Sequence, residues 1–248
     1  MEELELIHLA FASLVVISAF AVRGTAGFGG GAVAVPLLAL VLPIQVAIPV
    51  VAVLTVISSL GHWIRDWRKI MWREIARVAP FTLAGVLVGL QLFRELDSRT
   101  LTQAFGVFVI GYAIFAFATA GRLRAPPRSL IWPLAIGLST LAGLIGTLFG
   151  GAAGPLYVIY LNTLRLEKDA FRVTVTTMLM TLAILRVAGY ARLGFYDTTT
   201  LTVLAAALPM MLVGVRIGRH IAGRIDQRTF NRTVGLVLMV SGAALVLK

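Results

Sequence analysis

Residues 80–106, PFTLAGVLVGLQLFRELDSRTLTQAFG, return as residues 209–235, PMMLVGVRIGRHIAGRIDQRTFNRTVG. Pro80, Leu83, Gly85, Val86, Gly89, Asp97, Arg99, Thr100 and Gly106 recur 129 positions later as Pro209, Leu212, Gly214, Val215, Gly218, Asp226, Arg228, Thr229 and Gly235. Unrelated stretches of this length would share roughly two identities, so nine in 27 positions mark an internal duplication. In a strongly apolar chain such a duplication is the plan of many secondary transporters, whose substrate lies where the two halves meet.

The chain is strongly apolar: 59% of its 248 residues are hydrophobic and 13% charged. Its mean hydropathy is +0.93. A soluble domain would lack the polar surface to cover such a core, so the composition predicts a membrane protein. Apolar stretches near the length of a bilayer-crossing helix recur along the chain. They predict an all-α polytopic membrane protein with ten helical segments: 4–22, 30–43, 45–63, 76–93, 101–120, 130–148, 152–163, 172–191, 199–218 and 230–247. Unbroken apolar runs such as Val46 to Leu60 argue against a β-barrel, which needs short alternating strands. Segments 30–43 and 152–163 are short for a crossing and are candidate half-membrane helices. Residues 1–120 form the first repeat, 121–129 a linker rich in Arg and Pro, and 130–248 the second repeat.

Glu2, Glu3 and Glu5 precede the first segment where a cleavable signal would carry positive charge, which predicts a retained helix. The absence of cysteine excludes disulfides, thiolate metal sites and a cysteine nucleophile. The net charge of +11 does not predict nucleic-acid binding, because the cations are dispersed in loops. With ten crossings, 17 of the 22 cations fall in one set of alternate loops, beginning with Arg23. The other five are Arg94, Arg99, Arg186, Arg192 and Lys248. The positive-inside rule then puts both termini outside the cytoplasm, and five crossings per half make the repeat inverted. Re-entrant short segments would leave four crossings per half on this count, and a parallel repeat.

Two glycine clusters precede the short segments. Gly24-Thr25-Ala26-Gly27-Phe28-Gly29-Gly30-Gly31 leads into segment two, and Gly146-Thr147-Leu148-Phe149-Gly150-Gly151-Ala152-Ala153-Gly154-Pro155 leads into segment seven. Glycine lets a ligand approach the backbone, and a following helix N-terminus offers amide donors and positive potential to an anion. Close helix packing is the simpler reading of either cluster alone, since Gly27/Gly31 and Gly150/Gly154 have small-xxx-small spacing. Duplication beside short helices favours a substrate site made of Gly27, Phe28, Gly29, Gly30, Gly31, Phe149, Gly150, Gly151 and Gly154. Gly85/Gly89 and Gly214/Gly218 sit inside ordinary segments and read as packing positions.

Thr55, Ser58, Ser59 and His62 share one helical face, as do Thr174, Thr177 and Thr181. Hydroxyls that bond their own helix's carbonyls account for such stripes by default. Thr55, Ser59 and Thr177 are the candidates to complete an anion site. Arg65 and Arg186 are 121 apart, the offset that joins Phe28 to Phe149, at the ends of their segments. Snorkelling is their simpler role; the alternative is a pair on opposite sides that attracts or gates an anion, with Arg186 a candidate to complete the site. The stretch Trp63 to Arg77 interleaves tryptophans and cations, as a cytoplasmic surface helix would. Asp97 and Asp226 read as helix N-caps.

All eleven carboxylates fall in the N-terminal tail or predicted loops, which argues against a cation site or a proton relay. His8, His62 and His220 lack metal-ligand spacing, and no nucleophile–base or phosphate-loop motif is present. No enzyme activity, cofactor or metal is expected. The alternative to transport is a membrane assembly subunit that binds a partner through Trp63 to Arg77.

The set Gly27-Phe28-Gly29-Gly30-Gly31, Val35-Pro36-Leu37-Leu38, Asp66-Trp67-Arg68, Gly85-x-x-x-Gly89, Phe149-Gly150-Gly151 and Phe171-Arg172-Val173-Thr174 resembles the sulfite exporter TauE/SafE family over about residues 8–247. The resemblance implies a bacterial plasma-membrane permease for sulfur-containing anions such as sulfite or sulfoacetate. It points to the glycine clusters as the site, although Ala152-Ala153 departs from a glycine-rich pattern. Expected partners are the anion and the bilayer. Proton coupling is left to the substrate's own ionisation.

Overall fold

The computed structural model describes residues 2–26, 29–119, 127–151, 153–221 and 238–247. Among them the regular structure is entirely helical: α1 (Glu2–Ala26), α2 (Gly30–Leu38), α3 (Ile44–Asp66), α4 (Trp72–Glu95), α5 (Ser98–Thr119), α6 (Ile131–Phe149), α7 (Gly154–Asn162), α8 (Lys168–Arg192) and α9 (Thr198–Ile221). Residues 238–246 are also helical, within the tenth expected segment. Gly27, Phe28, Ala152, Asp226 and most of the 121–129 linker lie outside the described residues.

Among the described residues five helices, α3, α4, α6, α8 and α9, are long and apolar enough to cross a membrane. α2 and α7 are nine residues each, about 14 Å, or half the ~30 Å hydrocarbon thickness. Both double back. At its start Gly30 lies against Arg23 and the Ala19 carbonyl, and a cavity at its far end is lined by Leu38 together with Ala12 and Val16. α2 therefore runs antiparallel along α1. Likewise Ala153 touches Gly146 where α6 turns into α7, and α7 runs back beside α6 toward the start of α4. α2 and α7 are thus each the second arm of a hairpin with the helix before it, α1 and α6.

The halves interlock. The most extensive interfaces are α4 with α6 and α1 with α9, each joining one half to the other. Glycines allow both. A Cβ on Gly85 would run into the Thr140 carbonyl and one on Gly143 into the Thr82 carbonyl. The same holds for Gly214 against the Ile17 carbonyl and Gly218 against that of Ala21. Backbone contacts this close gather dispersion energy where lipid offers no hydrophobic drive. Gly218→Val and Gly85→Val should each lower thermal stability in detergent by about 1–3 kcal/mol. Gly111→Ala, whose Cβ meets nothing within 4 Å, serves as the neutral control in the same melting assay.

Asp97 caps α5, accepting from the amides of Arg99 (3.1 Å) and Thr100 (3.0 Å) and from the Thr100 hydroxyl (2.6 Å). Those bonds, the hydroxyl's first, hold its carboxyl below the usual range. Asp197 caps α9 through the Thr200 amide at 2.8 Å. The Trp63 to Arg77 stretch is not one surface helix. It comprises the end of α3, a 3₁₀ turn at Trp67–Lys69 and the start of α4. Lys69 pairs with Asp169 at 2.7 Å and the Met71 amide donates to Thr174 Oγ1, fastening the turn to the start of α8.

Candidate functional site

The two hairpin turns meet beside the middle of α3 and α8. Gly31 lies so close to Gly151 that a Cβ on Gly31 would sit 3.1 Å from the Gly150 oxygen and the Gly151 Cα. Gly29 (φ 90°) and Gly150 (φ 79°) adopt left-handed conformations that side chains resist, and these let the chain turn abruptly. Between the turns is a small cavity lined by Arg23, Gly29, Gly31, Thr55, Gly150, Gly151, Ala153, Leu179, Leu182 and Arg186. Thr55 is the middle residue of the 23-residue α3.

Two arginines face this cavity, and neither stands in a loop. Arg23, in the last turn of α1, is 4% exposed and donates through Nη2 to Ser59 Oγ (2.6 Å) and to the Thr55 carbonyl (3.5 Å). The loop-charge count is corrected accordingly, because α1 continues past the apolar run, to Ala26, and carries Arg23 inside. Arg186 is 3% exposed, well within α8, so it does not snorkel. Its Nη1 donates to the Gly150 carbonyl at 2.9 Å, and its Cζ lies 5.7 Å from the Tyr190 ring centroid. Its Nε and Nη2 are buried without a partner. Leaving two donors of a buried guanidinium unmatched costs several kcal/mol, a debt an oxyanion would cancel with paired, charge-assisted hydrogen bonds. Tyr190 fixes the setting by donating to the Thr147 carbonyl at 2.5 Å. Arg65's side chain lies outside the described residues.

The glycine clusters contribute differently from the sequence expectation. The Gly150 amide donates to the Gly146 carbonyl and the Gly151 amide to that of Phe149, both at 3.0 Å. Those two amides are engaged, and the second cluster presents a carbonyl to Arg186 instead. Proline at the start of α7 removes a further donor. The first turn of α2, including Gly30 and Gly31, retains the unpaired character of a helix N-terminus. Phe149 points away, stacked on Phe105 and Phe108 at 5.3 and 5.0 Å. Gly154 is buried at the start of α7.

Ser59 reaches the site through Arg23 while donating to the Thr55 carbonyl at 2.7 Å. Thr177 does not line the cavity; its hydroxyl donates to the Val173 carbonyl at 2.8 Å. Leu179 and Leu182 take the α8 face toward the site. Sequence reasoning missed Arg23, Ala153 and these leucines. The available signal for Arg23 was an ionisable residue directly before a glycine cluster at the end of an apolar run.

One buried carboxylate also departs from expectation. Glu74 lies in the first turn of α4, not in a loop, and is 6% exposed. It pairs with Arg77 and accepts from the Tyr160 hydroxyl at 2.5 Å.

A family model described as sulfite exporter TauE/SafE matches residues 11–245. Among curated proteins, the chain is 28% identical over 198 residues to the probable inner membrane transporter protein TsaS of Comamonas testosteroni, a match covering 79% of this chain and 80% of that protein. No solved structure matches.

Proposed function

The chain belongs to the sulfite exporter TauE/SafE family, a family of membrane transporters, and from that premise we propose that it carries small sulfur-containing anions, sulfite or an organosulfonate such as sulfoacetate, across the bacterial inner membrane. The observation that carries this reading is Arg186, with two buried donors unpaired in a cavity it shares with Arg23. A planar guanidinium fork matches two oxygens of a sulfite or sulfonate group, and Arg23 with the α2 N-terminus supplies further positive potential. Among the described residues no carboxylate lines the cavity to repel the anion.

Transport is by alternating access between two halves, residues 1–120 and 130–248, that enter the membrane from opposite faces. The matched hairpins and the paired α1–α9 and α4–α6 interfaces support this plan. The loop charges support termini outside the cytoplasm even with the two buried arginines set aside, which changes the asymmetry from 17 to 5 into 16 to 4. Proton movement is carried by the substrate's own ionisation.

Thermal-shift and radiolabelled-uptake measurements on purified protein with sulfite, sulfoacetate, taurine, thiosulfate and sulfate test the reading. Sulfite or a sulfonate should raise the melting temperature and cross proteoliposomes. If none of the five stabilises the folded protein or moves, the substrate assignment fails.

A further inference from the structure

The walls of the cavity between the hairpin turns are of two kinds. Positive charge and donors come from Arg23 in the last turn of α1, the first turn of α2 and Arg186 on α8. Hydrocarbon comes from Ala153, just before α7, and from Leu179 and Leu182 on α8. Ala153 and Leu182 form one surface, since a Cβ on Gly146 would lie 3.2 Å from the Ala153 Cβ and 2.8 Å from Leu182 Cδ2. Leu179, Leu182 and Arg186 follow at intervals of three and four residues and share one face of α8.

The leucines stand there although hydroxyls are close by in the chain. α8 also carries Thr174, Thr176, Thr177 and Thr181, which lie off the cavity. The hydroxyls of Thr176, Thr177 and Thr181 donate to the carbonyls of Arg172, Val173 and Thr177 at 2.9, 2.8 and 3.0 Å. Thr174 Oγ1 accepts from the Met71 amide. α8 therefore turns methyl groups, followed by a guanidinium, toward the site.

The space itself is tight, about 20 Å³, room for about one water. An oxyanion is larger, so the walls must part to admit it and then close on each of its faces, without a layer of water between anion and leucine. Sulfite and sulfonates carry three oxygens on one side of sulfur, with a lone pair or a carbon in the fourth position. Sulfate has a fourth oxygen there. When three oxygens turn to the arginines and the α2 amides, the fourth position meets hydrocarbon. A lone pair or a carbon loses little on leaving water, whereas an anionic oxygen pressed against methyl groups forfeits its hydrogen bonds.

We infer that Leu179, Leu182 and Ala153 are specificity-determining residues: a wall that rejects an anion with a fourth oxygen and admits one with a lone pair, carbon or sulfur in that position. The inference rests on the transport reading above and adds to it which side chains choose among sulfur oxyanions.

Thiosulfate and sulfate make the sharpest pair, because they carry the same charge and differ in one atom, a terminal sulfur that accepts hydrogen bonds weakly. In proteoliposomes thiosulfate should halve sulfite uptake at a concentration about tenfold or more below that needed of sulfate, the effect of one unpaired oxygen. Easier desolvation alone would favour thiosulfate in any site, so the wall is tested directly. Leu179→Asn and Leu182→Asn place an amide donor, at nearly the same volume, where the fourth oxygen would lie. Each should bring the ratio of the two concentrations about tenfold closer to unity. Ala153→Ser adds a single hydroxyl and should act in the same direction if the larger changes prevent folding. Sulfate that competes within a few fold of thiosulfate in the unaltered protein overturns the selection, as does an unchanged ratio in the folded variants. Sulfite uptake without this discrimination leaves the transport reading standing, whereas failure of every anion to bind or move removes both.

Discussion

Arg186→Gln is expected to abolish anion flux, reducing sulfite uptake in proteoliposomes by about 100-fold or more. The side chain has one hydrogen bond within the protein, to the Gly150 carbonyl, and two buried donors without a partner. Charge-assisted hydrogen bonds to a bound oxyanion contribute about 1.5–3 kcal/mol each, so losing two corresponds to at least two orders of magnitude in affinity. Arg186→Lys keeps the charge but replaces a planar fork with a point donor, and should recover only part of the flux. Arg23→Gln should be milder, because Arg23 already has Ser59 and the Thr55 carbonyl as partners. The measurement is uptake beside a sulfite-induced thermal shift, with elution as a folded monomodal species as the control. Folded Arg186→Gln protein that retains uptake and the sulfite shift within a few fold would remove Arg186 from the site.

Gly151→Ala should be nearly as damaging, and far worse than Gly29→Ala, although both glycines belong to the duplicated clusters. A Cβ on Gly151 would overlap the Gly31 carbonyl carbon and the Ala32 amide nitrogen, backbone atoms that cannot rotate aside. The two hairpin turns would have to separate, with an overpacking cost of about 1–3 kcal/mol and a displaced Gly150 carbonyl beside Arg186. Flux should fall by about tenfold or more, with a lower melting temperature. At Gly29 the added Cβ meets only Val22 Cγ1 at 4.0 Å, so the penalty is the positive φ itself, about 1–2 kcal/mol. Side-by-side uptake and melting curves test the ranking. Gly29→Ala proving the more harmful of the two would mean that the α2 amides, and not the contact between the turns, dominate the site.

Helix positions were legible because burial in lipid leaves a long apolar run little choice but a helix, and α3, α4, α6, α8 and α9 lie close to their expected segments. The shortness of α2 and α7 was equally plain. Their reversal was one of two open readings, since nine apolar residues look the same whether the chain passes onward or doubles back. Gly29 and Gly150, with their left-handed backbones, decide that in three dimensions. Arg23 was misassigned for a related reason: a cation at the end of an apolar run marks a loop when the helix stops there, and a buried site when it continues.

By itself, the sequence determined the duplication, the membrane environment, the family and the neighbourhood of the site, because all four are written in periodicity, composition and glycine placement. Only the tertiary structure decided which groups face one another. It buried Arg23 and Arg186 in one cavity, turned Thr177 and Phe149 away from it, engaged the Gly150 and Gly151 amides, and joined Glu74 to Arg77 and Tyr160. Those outcomes depend on how helices from the two halves cross and rotate about their axes. That geometry is fixed by contacts between residues far apart in the chain, which no local pattern encodes.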